Sequence, residues 1–200
     1  MIGQRPNVMT AVYQQAKAGQ IECGDSYFYT ETDEEFICAL ADGLGSGESA
    51  KESADIVINI IKHRIYATVN QLIQHCNQQL SGKRGVVVGL LKINFFTRRY
   101  TFSSIGNIGM MTIPENGVKN RHIPNSGYLA GFHQPFKVVS GKLDTVMNFI
   151  LFSDGVSDRD ITQNFLLTRN VQQVVDMYSA YKSGQTHDDD TTMIAIQYQE

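Results

Sequence analysis

Phe36-Ile37-Cys38-Ala39-Leu40-Ala41-Asp42-Gly43-Leu44-Gly45-Ser46-Gly47-Glu48-Ser49 is the stretch from which the architecture can be read. A short apolar run closed by one carboxylate and three glycines predicts a buried strand that delivers Asp42 to the mouth of a site. The glycines let the backbone come close to whatever Asp42 holds, because a residue without Cβ tolerates positive φ and tight contact. A phosphate cradle ahead of a helix is the alternative. Gly43, Gly45 and Gly47 do not follow G-x-G-x-x-G, however, and a carboxylate in front of them repels a phosphate unless a cation lies between.

Upstream, Cys23-Gly24-Asp25-Ser26-Tyr27-Phe28-Tyr29 sets a Gly-Asp pair ahead of an aromatic strand, and a polar turn over 31–35 joins it to the first stretch as a hairpin. Residues 8–13 suit an edge strand. Downstream the period becomes helical: Ala50, Ala54, Val57, Ile58, Ile61 and Ile65 share a face, with Ser49 and Glu52 as an expected capping box. A second helix carries Val69, Leu72, Ile73, Cys76 and Leu80, boxed by Thr68 and Gln71 and stopped by Gly82. Both helices are expected on one side of a sheet.

From Gly85 onward strands are expected at 85–94, 100–105 and 108–113, with links short enough to predict antiparallel neighbours. Residues 135–143 and 146–152 predict another hairpin. Its second strand is again almost wholly apolar and again ends in a carboxylate and glycine, Ser153-Asp154-Gly155, so the opening pattern occurs twice. A helix over 170–183, with Val171, Val174, Val175 and Tyr178 on one face, is followed by His187-Asp188-Asp189-Asp190-Thr191-Thr192 and a last strand at 193–198.

Composition narrows the function classes. The 200 residues show no linker or shift of composition, which predicts one domain over 1–200. A formal charge of −3 argues against nucleic acid or an anionic membrane as the main partner. No signal-like apolar segment and no run of about 18 apolar residues occurs, so a cytoplasmic chain is expected. Cys23, Cys38 and Cys76 are odd in number, irregular in spacing and without a C-x-x-C, which makes them structural thiols.

Asp25, Asp42, Asp154 and the cluster Asp188 to Asp190 all stand at strand ends. Singly, each is most simply a turn residue. If they converge, each pair about 4 Å apart repels by roughly 4 kcal/mol at an effective dielectric of about 20, and protons or cations must offset that. Oxygen ligands suit magnesium or manganese, whereas zinc would recruit His or Cys. The five histidines show no H-E-x-x-H spacing, and His187 is a solvated neighbour of the acidic cluster. Two hard divalent ions about 3.5 to 4 Å apart can bind a phosphoryl oxygen and acidify a water, which fits phosphomonoester and phosphodiester hydrolysis alike.

Cys-Gly-Asp25-Ser, Ala-Asp42-Gly43-Leu-Gly-Ser-Gly, Ser-Asp154-Gly155 and Asp189-Asp190-Thr-Thr, in this order, resemble the PP2C-type metal-dependent protein phosphatases in their bacterial SpoIIE-like branch. The resemblance spans 21–198. Lys83-Arg84-Gly85, Ser104-Ile105-Gly106-Asn107 and Ser126-Gly127-Tyr128-Leu129, with the short length, are most similar to the stand-alone stressosome phosphatases of Bacillus-type bacteria.

The resemblance implies an α+β fold, a PP2C-like α-β-β-α sandwich of two antiparallel sheets flanked by helices. It implies two Mn²⁺ or Mg²⁺ ions: Asp42 bridging them, the Gly43 carbonyl on one, Asp154 and Asp189 on the other, and Asp25 supporting the cluster directly or through water. It implies a monomeric phosphoserine/phosphothreonine phosphatase acting on phosphorylated STAS-domain proteins of the stressosome, in negative feedback on a stress response. Action on an anti-anti-sigma factor and a non-catalytic binding module are the alternatives. Two departures stand out. Many eukaryotic members have a histidine after the bridging Asp-Gly where Leu44 stands here, and a phosphate-binding arginine shortly before the first acidic motif, where this chain has none.

Overall fold

A computed structural model describes residues 7–45, 47–168, 170–186 and 188–200. The strands in chain order are β1 (Val8–Gln15), β2 (Asp25–Glu31), β3 (Glu35–Gly43), β4 (Val86–Asn94), β5 (Arg99–Ile105), β6 (Gly109–Ile113), β7 (Asn120–His122), β8 (Val139–Lys142), β9 (Val146–Phe152) and β10 (Thr191–Gln199). The helices are α1 (Glu48–Lys62), α2 (Val69–Gln79), the short α3 (Asp158–Ile161) and α4 (Val171–Lys182).

Among the described residues the strands form two antiparallel sheets, ordered β1-β10-β9-β6-β7 and β2-β3-β4-β5-β8. β3 shows why its sequence is apolar throughout. Phe36, Cys38 and Leu40 face the other sheet, where they meet Phe149, Leu151, Ile194 and Ile196. The alternate residues Ile37, Ala39 and Ala41 face outward beneath Val57, Ile61 and Leu72 of α1 and α2. A strand covered on both faces has no polar side to present. On the opposite flank Val174, Val175 and Tyr178 of α4 cover Ala11, Ile150, Met193 and Ala195. The layers are therefore helix, sheet, sheet, helix, as the resemblance implies.

Three local expectations are corrected. β6 does not pair with β5: the chain changes sheet at Gly106, Asn107 and Ile108. Gly106 takes φ +97, and Ile108 packs into the space that Gly89, lacking a side chain, leaves in β4. Likewise β8 and β9 are not a hairpin. Leu143 N donates to Arg98 O in one sheet (3.0 Å) and Glu200 N to Thr145 O in the other (3.0 Å), so the chain crosses between them. Finally, α1 has no capping box at Ser49 and Glu52. It starts directly from Gly47, at φ +76 and with no side-chain cap, which places Ser49 inside the helix and frees Glu52 to pair with Lys83 (2.9 Å). The box of Thr68 and Gln71 on α2 forms as expected.

Candidate metal centre

The antiparallel register of β2 and β3 sets Asp25 directly opposite Asp42. Asp25 is 1% exposed; its Oδ2 accepts from Thr192 Oγ1 at 2.6 Å, while its buried Oδ1 has no hydrogen-bond partner among the described residues. Burial pushes Asp25 up to about 6 against the opposing hydrogen bond of Thr192. Asp42 is pushed higher, to about 8, first by burial and then by the charges of Asp25, Asp154, Asp189 and Asp190. Two facing carboxylates that resist ionising together are short of positive charge.

The repeat of the opening pattern brings Asp154 to the same place. Beyond β9, Ser153 N donates to Thr192 O (3.0 Å) and Thr192 N to Ser153 Oγ (2.9 Å), which locks the turn onto the start of β10. Gly155 is pressed against the Asp190 carbonyl and Thr191, with no room for a Cβ. Burial and then Asp189 raise Asp154, whose Oδ2 accepts from Asn107 Nδ2 at 2.6 Å.

The acidic cluster divides. Asp190 is committed to the backbone, its Oδ1 accepting from Lys17 N (2.9 Å) and its Oδ2 from Gly24 N (2.8 Å). Among the described residues Asp189 accepts only from the Asp190 amide (2.9 Å), and it contributes to the field on both Asp42 and Asp154. Asp188 is exposed. Gly43 closes the group on the α1 side, its backbone so near the Ala50 carbonyl that no side chain fits.

Cys23, half-buried beside Asp25, is pushed up to about 12 by burial and then by that carboxylate, which keeps the thiol protonated. Tyr128 and Phe132 are exposed and not core. His187 lies outside the described residues. Asn107 carries no site signal in the sequence, because a Gly-Asn pair reads as a turn, and the change of sheet at Gly106 is what turns that amide toward Asp154.

These residues fit a hard divalent cation. The donors are all oxygen, Asp25 Oδ1 is a buried acceptor without a donor among the described residues, and Asp42 is pushed up first by burial and then by neighbouring negative charge. Among the described residues no three His, Cys, Asp or Glu side chains are gathered closely enough to hold one ion by themselves. Magnesium commonly uses few carboxylates and completes its shell with water. A cleft of about 380 Å³ lined by Gly24, Gly47 and Lys51 opens beside the group. A separate cavity of about 410 Å³, lined by Tyr66, Lys92 and Arg99, contains none of these carboxylates.

The layered fold and its strand-end carboxylates define a protein serine/threonine phosphatase domain of the PP2C type. Residues 32–199 match the family Stage II sporulation protein E (SpoIIE), and the chain belongs to that family. It is 34% identical over 187 residues to the phosphoserine phosphatase RsbX of Bacillus subtilis (strain 168), covering 94% of each chain. A crystal structure of RsbX in complex with magnesium superposes with a TM-score of 0.88 at 35% identity, covering 96% of this chain and 95% of that one. The fold is shared more distantly with the catalytic domain of the serine/threonine phosphatase PstP in complex with two manganese ions (TM-score 0.78, 14% identity, 96% and 99% covered). No helix among the described residues is long and apolar enough to cross a membrane.

Proposed function

We propose that this chain removes phosphate from phosphoserine and phosphothreonine of STAS-domain stressosome proteins, working in the cytoplasm as a monomeric single domain over 1–200 and resetting a stress response. The observation that carries the catalytic part is the facing pair Asp25 and Asp42, with one buried oxygen unpartnered and one carboxyl lifted to about 8. The substrate class rests on the likeness to RsbX.

In this reading Asp25, Asp42, Asp154, Asp189 and the Gly43 carbonyl hold two magnesium or manganese ions. Bound divalent ions supply the positive charge that a phosphate dianion requires and lower the pKa of a nearby water. Asp189 serves ahead of Asp190, because both Asp190 oxygens are already taken by backbone amides. Thr192 holds Asp25 in one rotamer and Asn107 holds Asp154, so the protein enters the reaction with its carboxylates oriented. Leu44 packs against the core between the sheets and offers no proton. The leaving serine must therefore take its proton from another source, such as water.

The deciding experiment is release of phosphate from a phosphorylated STAS-domain protein, with magnesium or manganese and with chelator, by wild type and Asp42→Ala. Metal-dependent release that vanishes in the variant is the expected result. Release that persists in Asp42→Ala would overturn the mechanism. Release only from a phosphorylated anti-anti-sigma factor would overturn the stressosome assignment.

A further inference from the structure

The carboxylate site is rich in negative charge, its substrate is an anion, and no arginine stands in residues 6–24 shortly before Asp25. Three cations reach its α1 side from the first turn of α1 and the link from α2 to β4. Lys51 is committed to Asp25 O (3.2 Å), Ser26 Oγ (2.9 Å) and Asp55 (3.6 Å). Lys83 pairs with Glu52 at 2.9 Å. Arg84 has no carboxylate partner among the described residues, and its one hydrogen bond is Nη1 to Leu44 O at 3.3 Å.

That bond places the guanidinium close to the centre. The ladder of β3 and β4 pairs Gly43 with Val86 and continues through Leu44 N to Gly85 O (2.8 Å), so Arg84 lies across from the turn that follows Asp42. The carbonyl it touches is the next one along the chain from that of Gly43. Gly45 makes room for it: this residue adopts φ +102, and a Cβ there would run into Arg84 Nη1. Gly85 is walled by the rings and methyls of Tyr128 and Leu44, which leaves the arginine to extend over the glycine turn.

We infer that Arg84 binds the phosphoryl group of the substrate, taking over from the α2–β4 link the part that an arginine ahead of the first acidic motif would play. The site assigned is a phosphate-monoester site made by Arg84 on the seat of Gly45. Among the described residues the guanidinium makes no other hydrogen bond, and its remaining N–H groups suit two oxygens of one phosphate. This assignment rests on the phosphatase reading for its substrate but predicts phosphate binding independently of turnover.

The test compares wild type, Arg84→Ala and Arg84→Lys in two assays with magnesium present. The first is calorimetric titration with inorganic phosphate, and the second is hydrolysis of para-nitrophenyl phosphate and of a phosphorylated STAS-domain protein. Loss of a charge-assisted contact predicts that Arg84→Ala weakens phosphate binding and raises KM for both substrates by about ten- to a hundredfold. Arg84→Lys should recover part of each loss, and the magnesium concentration giving half-maximal activity should stay unchanged in both variants. Unchanged phosphate affinity in Arg84→Ala overturns the inference. So does a loss confined to the phosphoprotein, which would make Arg84 a contact to the partner's surface, or a shifted magnesium midpoint, which would make it a support of the metal loop. Wild type that binds phosphate through Arg84 yet releases none from either substrate would overturn the phosphatase reading and leave this site standing.

Discussion

Asp25 and Asp160 are both aspartates buried almost completely, at 1% and 3% exposure, and the protein treats them in opposite ways. Asp160 Oδ2 accepts from Ser157 N (3.0 Å), Tyr178 OH (3.2 Å) and Lys182 Nζ (3.2 Å). Burial raises Asp160, but the Ser157 hydrogen bonds and Lys182 outweigh it and hold the carboxyl below its ordinary range. Asp25 has one hydroxyl donor, an orphaned oxygen and Asp42 across the ladder, and it is pushed up to about 6. One carboxylate is finished by the fold and ties α3 to α4; the other is left wanting positive charge. A buried polar group without a partner is costly, and the proposed metal centre would relieve that cost at this end of the sandwich.

The largest effect that could break this comparison is on activity at Asp42. Asp42→Asn should lower metal-dependent phosphate release by roughly a thousandfold or more, the scale of removing a group that positions catalytic cations. The variant's melting temperature without metal should hold or rise, because a mutual repulsion has been removed. Unfolding of the Asp42→Asn chain would show that the carboxylate serves the fold, as Asp160 does.

Asp160→Ala should do the reverse. Removing one member of a satisfied buried ion pair costs about 3 to 5 kcal/mol, because the partner charge is stranded. Lys182, 9% exposed, is that stranded partner. Denaturant unfolding should show the loss, while the metal midpoint of the folded fraction stays where it was. A changed metal midpoint with stability intact would mean that Asp160 belongs to the site.

Asn107→Ala sharpens the contrast on a smaller scale. Deleting a residue that orients a metal-holding carboxylate typically weakens metal affinity by about ten- to a hundredfold. Asn107 is exposed, so the melting temperature should hardly move. Activity titrated with manganese would reveal the shift, and an unshifted midpoint would reduce the 2.6 Å contact with Asp154 to a turn contact.

Much of this contrast was legible in the sequence on one side only. Asp25, Asp42 and Asp154 stand out because each ends or begins a strand beside glycine, and β3 and β9 are apolar on both faces, so their ends point somewhere definite. The helix faces were equally plain, since Val57, Ile61, Val174 and Tyr178 recur at the helical period. The change of sheet at Gly106 was not, because a short link normally joins antiparallel neighbours, and nothing local reveals that Ile108 will settle over Gly89. Asn107 stayed hidden for that reason, and Arg84 because its contact with Leu44 O depends on how β3 and β4 pair. Asp160 was missed because its partners Tyr178 and Lys182 lie on a different helix.

The smallest effect separates the two aspartates by pH. In metal-free protein Asp25 and Asp42 titrate near 6 and 8, above the unfolded value, so the folded chain binds more protons than the unfolded chain between about pH 4 and about pH 8. Stability must therefore fall as pH rises through that window and level off above it. Asp160, depressed in the folded state, gives the opposite slope: its contribution is present above about pH 4 and is lost as pH falls through its folded value. Thermal melts in chelator should drop by roughly 5 °C between about pH 5 and about pH 8. Magnesium should cancel much of the drop, because the cation supplies what the protons supplied. Asp42→Asn should flatten the slope. A wild-type curve that is already flat in chelator would mean that the carboxylates at the ends of β2 and β3 are stabilised by the fold alone, and the distinction from Asp160 would disappear.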